Sequence, residues 1–217
     1  MKLAIISGSE GGIGHALYFE LAQRGYQVCG LDVVKDPKLD ITASLQDTFK
    51  SFTRGGKEIA IVINCAGITR ENSIKQRRKP MMAKLREQME VNFFGAMNVC
   101  KESLKYMRNG SIVNIASKSA FHALPNRLGY CASKGAMVSA SKQMALDLAP
   151  HIRVNSVSPG QIDTDMPNSI VKETKVVNNL LKRKGTPKEV ANFICDIAEN
   201  EYVTGQDFII DGGYCAV

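Results

Sequence analysis

The strongest constraint on the fold lies in the first twenty-five residues, MKLAIISGSEGGIGHALYFELAQRG. "KLAIIS" (2–7) is apolar at consecutive rather than alternate positions, so as a strand it must be covered on both faces. It runs through the glycine-rich turn "SGSEGGIGH" (7–15) into the helical pattern "ALYFELAQRG", closed by Gly25. Strand, glycine turn and helix in that order open a βαβ unit, in which the next strand pairs in parallel.

The same alternation continues along the chain. "QVCGLDV" (27–33), "EIAIVIN" (58–64), "SIVNIAS" (111–117), "IRVNSVS" (152–158) and "DFIID" (207–211) read as strands. "LQDTFKSFT", the segment 81–108 and the segment 127–149, halted by Pro150, read as helices. "TPKEVANFICDIAEN" opens with Thr186 as N-cap, Pro187 at N1 and Glu189 at N3, a capping box. The expectation is an α/β fold: one doubly wound parallel sheet with helices on both faces, a single domain over 1–217. No repeat, low-complexity tract or linker interrupts it.

Composition narrows the function classes. Apolar runs such as "IAIVI" (59–63) are too short to span a bilayer, and the first residues lack a cleavage pattern, so a cytoplasmic location is expected. The cysteines at 29, 65, 100, 131, 195 and 215 form no CxxC pair and have no histidines at ligand spacing. Neither a metal site nor a disulfide framework is expected. The net charge of +7 is densest at "KQRRKP" (75–80) and "LKRKG" (181–185), without interleaved aromatics or a nucleic-acid motif. A solvated basic surface is the favoured reading over a polyanion site.

In the glycine turn, Gly8, Gly12 and Gly14 let backbone N–H groups approach a pyrophosphate at a helix N-terminus. Asp32, eighteen residues after Gly14, can accept hydrogen bonds from an adenosine ribose and would repel a 2′-phosphate, which favours NAD over NADP. In "GYCASKGAM" (129–137), Tyr130 and Lys134 share a helix face, and Gly135 predicts a close approach beside them. A cation about 4 to 5 Å from a phenol favours phenolate by about 3 to 4 kcal/mol at an effective dielectric of about 20. Lys118, Asn126 and Arg127 lie in the same stretch, leaving room for a polar or anionic substrate.

Taken together, "SGSEGGIG" (7–14), Asp32, "LDIT" (39–42), "NCAG" (64–67), "VNFFG" (91–95), "GSIVNIAS" (110–117), "YCASK" (130–134), "RVNSVSPG" (153–160) and "YVTGQDFIIDGG" (202–213) resemble the short-chain dehydrogenase/reductase family in order and over essentially the whole chain. The resemblance implies a catalytic group of Asn92, Ser117, Tyr130 and Lys134, with Ser117 thirteen residues before Tyr130. It implies that Ser7, Gly8, Gly12, Ile13 and Gly14 line the pyrophosphate end. Asp32 would hold the ribose, Asp40 the adenine side, and Asn64, Ala66 and Gly67 the centre of the cofactor. Pro159, Gly160, Ile162 and Thr164 would flank the carboxamide, with Tyr130 and Lys134 also touching the cofactor.

The activity so implied is hydride transfer between NAD(P) and a small-molecule alcohol or carbonyl, with Tyr130 as general acid and base. The alternative is a catalytically silent dinucleotide sensor or nucleic-acid-binding regulator. Homodimers or homotetramers through 81–108 and 127–149 are implied as well. Cys65 stands where the family's motif has a second Asn. The region after the second strand is clipped, and a short substrate lid is expected at about 164–185.

Overall fold

A computed structural model describes residues 2–75, 80–164 and 178–216. Six strands, β1 (Leu3–Ser7), β2 (Gln27–Leu31), β3 (Ile59–Asn64), β4 (Gly110–Ile115), β5 (Ile152–Pro159) and β6 (Asp207–Ile210), form one parallel sheet in the order β2-β1-β3-β4-β5-β6. The helices between them are α1 (Gly12–Gln23), α2 (Gln46–Phe52), α3 (Pro80–Met89), α4 (Ala96–Ser103), α5 (Leu128–Leu148) and α6 (Pro187–Glu199).

The apolar first strand shows why the chain is wound on both sides. Leu3 and Ile5 enter a core with Phe49 of α2, Val99 of α4 and Ala145 of α5. Ala4 and Ile6 enter the opposite core, with Leu17 and Leu21 of α1 and Val190 and Ile194 of α6. Side chains alternate faces along a strand, so a strand with helices above and below must be apolar throughout. The capping box forms as expected: Thr186 Oγ1 accepts from Glu189 N at 3.2 Å, and Thr186 N donates to Glu189 Oε2 at 2.8 Å.

Two features depart from a regular reading. The helical segment expected at 81–108 is α3 and α4 joined by a π-turn, Glu90–Gly95, which carries Asn92. A π-turn closes i→i+5 hydrogen bonds and rotates the residues it carries away from their helical positions. The sheet also ends at β2, where the familiar order 3-2-1-4-5-6 would continue with one more strand. After Leu31 the chain instead makes a 3₁₀ turn, Pro37–Leu39, capped by Asp36, and passes directly to α2. β1 is followed by β2 on one side and neighboured by β3 on the other, so the crevice opens at the carboxyl ends of β1 and β3.

No described helix is long and apolar enough to cross a membrane. Most of the expected lid (residues 165–177) and of the basic cluster at 75–80 (residues 76–79) lies outside the described residues.

Candidate active site

The glycine turn leaves β1 at Ser7. Its buried hydroxyl accepts from Ala66 N at 3.3 Å, and Cys65 N donates to Ser7 O at 3.1 Å, which fastens the turn to the end of β3. Gly8 has φ +73°, and a Cβ there would lie 2.7 Å from Ala66 N and Cα, so only glycine fits. At Gly14 a Cβ would collide with Gly8 O. Gly12 abuts the Thr164 side chain, with only 2.7 Å between its notional Cβ and Thr164 Cγ2. Ile13 packs into the core on the α1 side.

Helix α1 begins at an N-cap glycine, Gly11, with no side-chain cap and no acid in its first turn. Its first N–H groups therefore lack side-chain acceptors, and the helix end carries positive partial charge. A backbone-lined cradle of this kind fits a dinucleotide pyrophosphate. Beside it, the Asp32 carboxylate accepts from Glu10 N at 3.0 Å and from Val34 N at 2.9 Å. Asp40 is half-buried and accepts from Thr42 N at 2.9 Å and Thr42 Oγ1 at 2.8 Å.

Asn64 does not turn its side chain to the crevice. Its Nδ2 donates to Asn114 Oδ1 at 2.7 Å and to Cys100 Sγ at 3.1 Å, and Asn114 Nδ2 donates to Ser141 Oγ at 2.8 Å. Asn64 thus ties β3 to β4 and α5 beneath the site. Half-buried Ala66 and Gly67 follow it, and a Cβ on Gly67 would lie 3.4 Å from Asn92 Oδ1 and 3.5 Å from Lys134 Nζ. Pro159 is buried at the end of β5; Gly160 N donates to Ile210 O at 2.9 Å, and Ile162 bridges to Gly185.

The chemical groups come from three neighbouring places: the end of β4, the π-turn and α5. Ser117 follows β4 with an extended backbone, and its Oγ accepts from Ser119 N at 3.1 Å. An N–H takes one lone pair, which leaves the hydroxyl proton for the Tyr130 phenol or for a ligand beside it. Lys134, 4% exposed, points from α5 to Ile115 O at 2.6 Å, its Nζ 5.9 Å from the Tyr130 ring centroid. Asn92 accepts from Ile68 N at 2.7 Å and donates to Ile68 O at 2.9 Å and to Ser133 Oγ at 3.0 Å. Ser133 Oγ donates in turn to Tyr130 O at 2.9 Å.

Burial holds the Tyr130 phenol above its ordinary value, while the Ser117 hydroxyl and then Arg127 pull it back. Burial also brings Lys134 down to about 8, opposed by the Cys65 thiol, and pushes Cys65 up to about 11. Lys134 was expected to supply a cation to the phenol; the cation that favours the phenolate most is Arg127. The lysine is itself desolvated, which disfavours its charge, and its donor is directed to a carbonyl.

Gly135 departs from expectation as well: a Cβ there meets nothing within 4 Å. The close approach occurs six residues earlier, at Gly129. A Cβ there would lie 2.6 Å from Gln88 Nε2, 2.8 Å from Asn72 Nδ2 and 3.1 Å from Leu85 Cα. Three groups were not singled out by sequence: Ser133, Asn114 and the Ile115 carbonyl. Ser133 adjoins Lys134 in the Tyr-Lys motif, a signal that was available; the carbonyl has no sequence signature. Of the polar residues near Ser117, Lys118 lies over the Tyr214 ring with Nζ 3.0 Å from its centroid, and His122 meets the same ring edge-on at 5.7 Å. Among the described residues, no three His, Cys, Asp or Glu side chains gather to hold a metal ion.

Comparison with known proteins adds the following. A family model described as enoyl-(acyl carrier protein) reductase matches residues 8–215. Carbonyl reductase family member 4 of Xenopus tropicalis is 33% identical over 232 residues, covering 98% of this chain and 97% of that protein. The 3-oxoacyl-[acyl-carrier-protein] reductase of Mus musculus is 31% identical with the same coverage. The solved structure of a 4-hydroxyisoleucine dehydrogenase complexed with NADH superimposes with a TM-score of 0.87 at 28% identity, covering 100% of both chains.

Proposed function

The chain belongs to the short-chain dehydrogenase/reductase family of nicotinamide-dependent Rossmann-fold oxidoreductases, and from that premise we propose that it interconverts a small-molecule alcohol and its carbonyl with Tyr130 as general acid and base. NAD is the favoured cofactor. The observation that carries the reading is the placing of Tyr130 and buried Lys134 on one face of α5, Lys134 Nζ 5.9 Å from the Tyr130 ring centroid, with Asn92 of the π-turn fastened to the same helix through Ser133.

When bound, the nicotinamide supplies the acceptor or donor of hydride. The first N–H groups of α1, with Gly8, Gly12, Ile13 and Gly14, hold the pyrophosphate, and Ser7 fastens the turn that presents them. Asp32 takes the ribose hydroxyls and Asp40 borders the adenine. Asn64, Ala66 and Gly67 form the floor, and Pro159, Gly160, Ile162 and Thr164 the wall at the carboxamide. Ser117 donates its hydroxyl proton to the substrate oxygen. Tyr130 takes the proton from a carbinol oxygen, or gives one to a carbonyl oxygen in the reverse direction. Lys134, its amine anchored on Ile115 O, is placed to hold the nicotinamide ribose, while Asn92 holds the Ile68 loop in place.

The acid in the adenosine recess favours NAD, since a 2′-phosphate would meet a carboxylate. Support for a carbonyl substrate comes from the carbonyl and 3-oxoacyl reductases among the relatives. The test is Tyr130→Phe, read by turnover on secondary alcohols and ketones and by NADH fluorescence. NADH binding is expected to stay within about threefold while kcat falls by about 100-fold or more, the scale of general acid–base catalysis. Undiminished turnover removes the tyrosine from the mechanism.

A further inference from the structure

Arg127 is a buried cation that the mechanism above does not use. It is only 8% exposed, at the N-cap of α5. It precedes Tyr130 by three residues and Lys134 by seven, which puts the three on one stripe of the helix. Among the described residues its one side-chain hydrogen bond runs from Nη1 to Thr69 Oγ1, at 2.6 Å, and it forms no ion pair. Thr69 follows Ile68, the residue gripped by Asn92, so the guanidinium stands beside the proposed chemistry. Its charge also favours the phenolate of Tyr130.

Three contrasts show what is missing. Arg153, also partly buried, donates to the carbonyls of Ile197, Ala198 and Val203, so its charge is met by oxygens of its own chain. Lys118, another buried cation, lies against the Tyr214 ring, and Lys134 donates to Ile115 O. Arg127 has neither. Glu71 on the neighbouring loop accepts instead from Asn126 at 3.2 Å, and Glu87 pairs with Arg70 at 2.9 Å. A guanidinium has five donors in a planar fork, and burying it without a counter-charge is costly. The shape and charge that satisfy such a fork are those of a carboxylate.

We propose that Arg127, steadied by Thr69, binds the carboxylate of a small oxo or hydroxy acid and so sets the substrate class of this enzyme. The proposal rests on the oxidoreductase reading for its placement beside Tyr130, but the anion site is testable without turnover. Butyrate, an unreactive carboxylate, is titrated by calorimetry into wild type and Arg127→Met, each with and without saturating NAD⁺. Butyramide serves as the uncharged control. Wild type is expected to bind butyrate in preference to butyramide, and Arg127→Met to weaken butyrate by about 10- to 100-fold, the scale of hydrogen bonds to charged groups.

Short 2- and 3-hydroxy acids are then compared with their methyl esters as substrates. The ratio of kcat/KM, acid over ester, is expected to fall by at least about 10-fold in Arg127→Met. Circular dichroism checks the fold, and Arg127→Gln and Thr69→Val repeat the titration if Arg127→Met does not fold. Butyrate binding that is absent in wild type, or equal in wild type and the folded variants, overturns the proposal. Failure of the oxidoreductase reading looks different: no NADH binding, or no turnover of any alcohol or ketone, charged or neutral.

Discussion

Lys134 sits inside the protein with its amine on Ile115 O, and burial brings it to about 8 from an ordinary 10.5. Between those two values the unfolded chain holds a proton that the folded chain has released, so this residue makes stability rise with pH across that window. Below about 8 the cost of the buried charge is fully present. Tyr130, Cys65 and Cys100 act in the opposite sense, because burial raises them and the unfolded chain ionises first as pH climbs. Lys134→Met isolates the lysine. The stability of wild type relative to this variant is expected to grow by up to about 3 kcal/mol between about pH 7.5 and pH 10, read from urea midpoints. A flat difference would refute the assignment. At this scale the sequence named the candidate side chains but not their orientation. Nothing in the spacing of Tyr130 and Lys134 shows that the amine ends on a backbone carbonyl, or that Asn64 turns into the core. Arg127 was visible only as one polar residue of three, since a charge at a helix start reads equally well as surface.

Helix α5 holds Tyr130 and Lys134 and lies close against α3, with 2.6 Å from the notional Cβ of Gly129 to Gln88 Nε2. Gly129 N also donates to the buried Asn72 Oδ1 at 3.0 Å, pinning the first turn just before Tyr130. Gly129→Ala is expected to cost about 1 to 3 kcal/mol by overpacking, and to lower kcat by moving Tyr130. Gly135→Ala fills open space in the same helix and is expected to stabilise the fold by about 0.5 to 1 kcal/mol. Chemical denaturation of the two variants, with kcat measured alongside, checks the pair; equal effects would place the close approach elsewhere. Sequence periodicity located α5 and the ends of most strands. It could not separate two glycines six residues apart, because a missing Cβ is silent about which neighbour needs the room. Nor could it reveal the π-turn at Glu90–Gly95, since one wider turn barely disturbs an apolar pattern averaged over many residues.

The six-stranded sheet ends at β2, and that rim holds Asp32 and the loop leading to Asp40. Charge at this end is therefore expected to decide which dinucleotide stabilises the molecule. NADH at about one hundred times its Kd should raise the unfolding free energy by about 2.7 kcal/mol. NADPH at the same concentration should raise it less, and Asp32→Ser should narrow the gap. Thermal or urea unfolding with each cofactor measures this, and equal shifts in wild type would remove Asp32 as the selector. The parallel sheet and both cores were readable because consecutive apolar residues leave few other arrangements. The glycine turn, for its part, is tied through Ser7 to Ala66, through the Gly8 amide to Leu31 and through the Glu10 amide to Asp32. A mould already set has little left to freeze when its guest arrives. Discrimination between guests is then expected to fall to one carboxylate rather than to any reshaping of the protein around them.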